Sequence, residues 1–347
     1  MSARDPLEPI PLTILTGFLG AGKTTRLNAW LKDPAFADTL VIINEFGAVG
    51  LDHLLIEEVQ GDMLLMAAGC LCCTIRGDLV ATLEDLLRRR DNDRIRFFRR
   101  VLIETTGLAD PLPILQAVLQ HPYLSKRFRI ASVLTLVDAV HGAETLRAHA
   151  EARRQAALAD ALILSKTDIA TPEAQAATIA AARALNPFAP WLEAQAALQP
   201  EALSTLRFRP ERLEDADLVA WLGENEGMSH GADHVPGHDP NRHGAEIEAF
   251  ALVSPQTVSE GQLTVFREAM RLMLGPKLLR LKGLVAMADD PERPMLIHAV
   301  QSVADPPVRL PRWPSRDRRT RLVVIAQGEA RQTIEGFWKA LTNPSGR

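Results

Sequence analysis

Along the first two hundred residues, short and almost uninterrupted apolar runs alternate with longer stretches whose apolar positions recur at helical spacing. The runs "PLTILT" (11–16), "LVIIN" (40–44), "VLIET" (101–105), "ASVLTLVD" (131–138) and "ALILS" (161–165) have too few polar positions for half-exposed strands. They predict strands buried on both faces, as in a parallel sheet covered by helices. One helix is well punctuated: Thr171 can cap it, Pro172 suits its first position, Glu173 favours its positive end, and Asn186-Pro187 stops it. Residues 10–208 therefore read as an α/β domain.

The pattern breaks between 209 and 245. "MSHGADHVPGHDPNRHG" (228–244) is rich in Gly, Pro, Asp and His and has no period, which predicts a solvated linker. Beyond it, "EIEAFALVS" resumes a strand pattern and 259–275 is helical. "KLLRLKGLVAMA", "PMLIHAVQSV" and "TRLVVIAQG" are further strands, and a last helix falls near 330–342. Residues 246–347 thus form a small α+β domain. No internal repeat is present.

Composition narrows the setting. The 347 residues are 47% hydrophobic and carry a net charge of -4, which gives no electrostatic reason to expect nucleic acid or an anionic membrane as partner. The opening "MSARDPLEPIP" lacks the apolar core of a secretory signal, and no run of transmembrane length occurs, so the cytoplasm is the expected compartment. Three cysteines cannot all pair, and a reducing compartment keeps thiols free, which argues against a disulfide framework.

Candidate chemistry begins at "GFLGAGKTT" (17–25), where Gly, four residues and Gly-Lys-Thr follow a strand and open a helix. Glycines let successive N–H groups face an anion, and the helix start adds about half a positive charge. Gly17, Gly20, Ala21, Gly22, Lys23, Thr24 and Thr25 are the candidate phosphate contacts. Lys23 would reach the β and γ phosphates, and the Thr24 hydroxyl would ligate Mg²⁺. The competing reading is a chance glycine turn with a surface lysine. A nucleoside triphosphate is the expected ligand.

"SKTD" (165–168) closes a strand where G domains carry Asn-Lys-x-Asp. Asp168 can accept from both N–H groups on the guanine edge, with Lys166 packing against the base. Ser165 replaces the usual Asn and cannot make its amide bonds. A plain helix-capping aspartate is the alternative. "IETTGLADP" (103–111) ends another strand with an acid and a glycine. Glu104 is ranked first as the acid beside the metal and Gly107 as the γ-phosphate contact, because a loop between them can sense that phosphate. Asp138 stands as the alternative metal partner.

In this order, "GFLGAGKTT", "NEFG" (44–47), "GCLCC" (69–73), "ETTGLADP" (104–111) and "SKTD", followed by a His-rich linker and a small terminal domain, resemble the CobW family of P-loop GTPases, a group of metallochaperones. The resemblance implies a G domain that hydrolyses GTP, binds Zn²⁺ or in some members cobalt, and delivers it to a client metalloprotein. It also implies that "NEFG" is a switch segment and that Cys70, Cys72 and Cys73 hold the transferred metal. Homo-oligomer formation is left open.

The thiol chemistry agrees with that implication. Soft thiolates bind zinc at about 2.3 Å, and three of them fill three of four tetrahedral positions. In a regular strand Cys70 and Cys72 face opposite to Cys73, so convergence needs a bend, which Gly69 can supply. The fourth position falls to Glu45, His53 or water, and an incomplete shell suits an ion that must leave. Buried structural cysteines, a Cys72–Cys73 disulfide or redox sensor, and an iron–sulfur site are the competing readings. His230, His234, His238 and His243 of the linker are spaced four, four and five apart. They read either as a secondary zinc or nickel site or as incidental linker residues. At the level of function, a nickel-insertion GTPase of the hydrogenase or urease type and a non-enzymatic zinc buffer or sensor are the alternatives.

Overall fold

The structure, a computed structural model, describes residues 8–44, 64–68, 75–193, 247–301, 303–304 and 306–343. It divides into two compact units, Met1–Ala181 with Trp191–Arg207, and Ala182–Pro190 with Phe208–Arg347. The expected linker over 209–245 and the boundary at 208 lie outside the described residues.

In the first unit the chain runs through β1 (Ile10–Gly17), α1 (Lys23–Leu31), β2 (Thr39–Asn44), β3 (Leu64–Ala68), α2 (Ile75–Asp91) and β4 (Arg100–Glu104). It continues through α3 (Leu112–Gln120), α4 (Leu124–Arg127), β5 (Phe128–Asp138), α5 (Gly142–Ala148), α6 (Ala150–Leu158), β6 (Ala161–Ser165), α7 (Pro172–Leu185) and β7 (Trp191–Glu193). The strands form one sheet in the order β3-β2-β4-β1-β5-β6-β7, and each pairing is parallel. All five strands anticipated from apolar runs are present. Two more, β3 and β7, join them at the sheet edges.

Burial explains the unbroken apolar runs. Every position of β6 is buried, as are nine of the eleven in β5, because helices cover both faces. On one face Leu15, Val41, Ile43, Leu102 and Leu134 form a cluster with Leu27, Trp30 and Leu31 of α1. Thr171 caps α7 as expected, its hydroxyl accepting from the Ala174 N–H at 3.2 Å. The chain leaves β1 through α1 to β2, yet β1's sheet neighbours are β4 and β5. The strand order therefore reverses at β1, and a crevice opens beyond its carboxyl end.

The second unit contains β8 (Ile247–Ser254), α8 (Glu260–Leu274), β9 (Leu278–Val285), β10 (Met295–Val300), β11 (Val303–Ala304), β12 (Val308–Arg309), β13 (Thr320–Gln327) and α9 (Ala330–Thr342). Its sheet is antiparallel, ordered β11-β10-β9-β13-β8, with β12 also pairing β10. Phe266 of α8 meets Trp338 of α9 edge to face at 4.9 Å over Phe250, Leu281 and Val324 of the sheet. A reciprocal cap between Ser259 and Gln262 starts α8. No helix among the described residues is long and apolar enough to cross a membrane.

Gly283 of β9 lies against β13 so closely that a Cβ would stand 2.0 Å from the Arg321 carbonyl oxygen. The nearest atoms are all β13 backbone, which cannot swing aside as a side chain can, so Gly283→Ala should destabilise this unit by about 3 kcal/mol. Urea unfolding monitored by tryptophan fluorescence checks it, since Trp338 belongs to the same core.

Candidate functional site

The crevice at the end of β1 is lined first by the loop joining β1 to α1. Gly20 and Gly22 take φ of 71° and 86°, a left-handed backbone that residues with a side chain rarely adopt, and space around both is open. Gly17 is needed for a second reason: a Cβ there would stand 2.5 Å from the Leu136 carbonyl oxygen of β5. Helix α1 starts at Lys23, directly after Gly22. The loop thus delivers a helix N-terminus to the crevice, an electrostatically favourable seat for phosphate.

Lys23 is 8% exposed, and its ammonium donates to the Gly17 and Phe18 carbonyls at 2.9 and 3.2 Å. Its charge is thereby held inside the loop. Thr24, one residue on, donates its hydroxyl to Glu104 Oε1 at 2.7 Å. Eighty residues separate this pair in sequence, and the β1–β4 pairing joins them by setting Leu15 opposite Glu104. Glu104 is 4% exposed. A hydroxyl and a buried carboxylate are hard oxygen donors, the set that suits Mg²⁺. Asp138, weighed as an alternative metal partner, is engaged elsewhere: its carboxylate meets Lys166 and two backbone N–H groups. Thr25 is exposed on the first turn of α1.

After Glu104 the chain turns back under the phosphate loop. Thr105 donates its N–H to the Leu15 carbonyl at 3.0 Å, and its hydroxyl bonds that of Thr16 at 2.8 Å. Gly107 then lies against Leu19 so tightly that a Cβ would be 2.5 Å from the Leu19 nitrogen. The structure therefore brings together Lys23, Thr24, Glu104 and Gly107, the four residues expected to act on the triphosphate.

Gln155, which no motif singles out, braces this loop. It is 1% exposed on α6, and its Nε2 donates to the Gly107 and Ala109 carbonyls, each at 3.0 Å. Its Oε1 is buried and accepts no hydrogen bond among the described residues. Leaving such an acceptor unsatisfied costs about 1–3 kcal/mol. Reversing the amide would set its oxygen against two carbonyl oxygens, which fixes the assignment. Nearby on α6, Arg154 pairs with Asp110 at 3.1 Å, and His149 at the helix start stacks on Phe18 of the phosphate loop at 4.4 Å.

At the end of β6, Lys166 adopts φ of 57° and its ammonium meets Asp138 Oδ2 at 2.6 Å. Asp138 Oδ1 accepts from the Val140 and His141 N–H groups. Burial alone would raise this carboxyl, but the Lys166 ammonium and the two N–H groups outweigh it and hold Asp138 below the ordinary carboxylate range. Ser165 turns its hydroxyl into the sheet, donating to the Val137 carbonyl at 3.3 Å. Gln175 of α7 fastens the loop by donating to the Thr167 and Ala170 carbonyls, each at 3.1 Å. Asp168 is left exposed between these fixed points.

The metal-binding expectations, Glu45, His53, Cys70, Cys72, Cys73, His230, His234, His238 and His243, lie outside the described residues, as does most of the "NEFG" segment. Among the described residues no group of three His, Cys, Asp or Glu is poised to hold a metal. What is described is where these segments begin. Asn44 and Ala68 are register partners at the ends of β2 and β3, and Ile43 pairs with Glu104.

Two family models match the chain: "CobW/HypB/UreG, nucleotide-binding domain" over residues 11–193, and "Cobalamin synthesis protein cobW C-terminal domain" over 247–342. The zinc chaperone YjiA of Escherichia coli is 42% identical over 164 residues, covering 47% of this chain and 51% of YjiA. The zinc chaperone CobW of Pseudomonas aeruginosa is 30% identical over 357 aligned positions, covering 92% of this chain and 88% of that protein. The first alignment thus spans about half of its relative, the second most of it. The crystal structure of Zn(II)-bound YjiA GTPase from E. coli superposes with a TM-score of 0.71 at 28% identity, covering 96% of this chain and 99% of that one.

The Lys166–Asp138 pair holds the loop that carries Asp168, so Asp138→Asn should weaken guanine nucleotide binding about tenfold, the effect of losing a charge-assisted bond. Because folding lowers the Asp138 pKa, its stabilising contribution is complete above the ordinary carboxylate value of about 4 and is lost as pH falls through the folded-state value. Titration of labelled GDP into both proteins at neutral pH checks the affinity.

Proposed function

This chain belongs to the CobW family, and from that premise we propose that it is a GTP-hydrolysing metallochaperone that carries Zn²⁺ on Cys70, Cys72 and Cys73 to a client metalloprotein. The observation that carries this reading is the meeting of Thr24 with Glu104 at 2.7 Å, beneath a phosphate loop on which Gly107 rests. Support also comes from the zinc chaperones among its relatives, one of them similar along nearly the whole chain.

In this reading Gly17, Gly20, Ala21 and Gly22 shape the cradle for the phosphates. Lys23 neutralises the β and γ phosphates, and Gly107 donates its N–H to the γ-phosphate. Thr24 and Glu104 would hold Mg²⁺, which would supply positive charge to offset that on the phosphate oxygens. Lys166 packs on the base and Asp168 accepts from the guanine edge. No glutamine or arginine in the motifs stands out to position the attacking water, so intrinsic turnover is slow.

Zinc is the cargo rather than a resident cofactor. Glu45 directly follows Asn44, and only Gly69 separates Ala68 from Cys70, so both segments depart from the sheet edge that carries Glu104. A γ-phosphate that orders residues 44–47 and the thiol segment would tighten the zinc site, and hydrolysis would loosen it. Structural zinc sites are worth roughly 10–16 kcal/mol. Shifting a two-state balance by ~10⁴ takes about 5.5 kcal/mol. Loosening alone therefore cannot expel the ion, and a client must offer competing ligands. The cytoplasm, where thiols stay reduced, is the compartment this requires.

Lys23→Ala should abolish GTP turnover in a phosphate-release assay, and persistent hydrolysis would place the chemistry elsewhere. Zinc affinity measured by chelator competition should be at least about tenfold tighter with a non-hydrolysable GTP analogue than with GDP. Equal affinities would remove the coupling. The Cys70, Cys72, Cys73 triple serine variant should lose the tight zinc equivalent altogether.

A further inference from the structure

We infer that Gln155 is a positioning residue for the γ-phosphate loop, setting Gly107 so that the site tells GTP from GDP. The inference rests on the GTPase reading above and deepens it by naming what holds the sensing loop.

The loop from Thr105 to Asp110 is pinned at both ends. At its start Thr105 is bonded to Leu15 and Thr16 of β1, and at its end Asp110 pairs with Arg154 and caps α3 through the Leu112 N–H at 2.9 Å. Between these anchors Gly107 is wedged against the Leu19 backbone on one side. On another side the Gln155 carboxamide holds the Gly107 and Ala109 carbonyls, while the Ala109 N–H closes a turn onto the Thr106 carbonyl at 3.1 Å. One planar amide gripping two carbonyls fixes the direction of the turn as well as its place.

The arrangement has a functional reach because α6 also touches the phosphate loop. His149 opens the helix against Phe18, and Gln155 lies six residues further on, so one rigid element references both loops. A γ-phosphate bonded by Gly107 meets a loop already in place, whereas GDP offers nothing at that position. Removing the two donors frees the turn to rotate, and only the nucleotide that uses it should notice. A glutamine that merely stabilised α6 would weaken both nucleotides alike.

The test compares Gln155→Leu, of similar volume without donors, with the wild-type full chain in Mg²⁺. Affinities for GDP and a non-hydrolysable GTP analogue, kcat for GTP and the thermal midpoint are read in parallel. Loss of two hydrogen bonds should lower analogue affinity and kcat each by about tenfold while GDP affinity stays within about twofold. Should the Leu variant not fold, Gln155→Met supplies the same loss of donors with a more adaptable side chain. Equal weakening of both nucleotides, or unchanged turnover, overturns the assignment. A wild-type chain that neither binds guanine nucleotides nor hydrolyses GTP overturns the GTPase reading itself, which is a separate failure.

Discussion

Parallel strands end together, and every group in the nucleotide crevice depends on that constraint. In this sheet β4, β1 and β5 are neighbours, so Glu104, Gly17 and Asp138 arrive at one edge from widely separated parts of the chain. The Thr24–Glu104 bond is the tightest expression of it. A hydroxyl on the first turn of a helix meets a carboxylate at the end of a strand because one hydrogen-bonded ladder fixes both. If β1 and β4 slipped by a single residue, Glu104 would turn to the other face of the sheet and the pair would be lost.

The same constraint gives the proposed zinc coupling its geometry. β2 and β3 extend the sheet beyond β4, so the segments that follow Asn44 and Ala68 start on the edge that carries Glu104. Coupling between a phosphate and a metal ion then needs no long relay. It needs two segments that start side by side, at Asn44 and Ala68, to depend for their order on one contact. The loop proposed to read the base is separately fixed, by Lys166 on Asp138 and by Gln175, so changes at the γ-phosphate end need not disturb the hold on the base.

Gln155 and Gln175 illustrate a shared device. Each projects from a helix and uses its amide nitrogen to grip two backbone carbonyls of a loop that faces the ligand. Loops cannot bury enough apolar surface to fix themselves, and a carboxamide from a packed helix supplies rigidity without adding charge near the phosphates. At Gln155 the arrangement leaves a buried acceptor without a partner among the described residues, a local cost that is usual where function rather than stability selects a residue.

Much of this was legible without coordinates. The apolar runs marked five strands because a doubly covered strand cannot conceal a polar face, and Gly20 and Gly22 marked the phosphate loop because few other residues tolerate that backbone. β3 escaped notice: "LLMAA" is made of residues that favour helices, and its pairing with β2 overrides that preference. Glu104 ranks ahead of Asp138 in the sequence only through its spacing to Gly107, since both acids end apolar strands. What the sequence determined by itself was whatever depends on local backbone chemistry and on burial of whole segments. Only the tertiary structure decided which acid meets Thr24, which lysine meets Asp138 and which glutamine braces Gly107, because those partners are chosen by strand order and by backbone carbonyls, neither of which carries a side-chain signature.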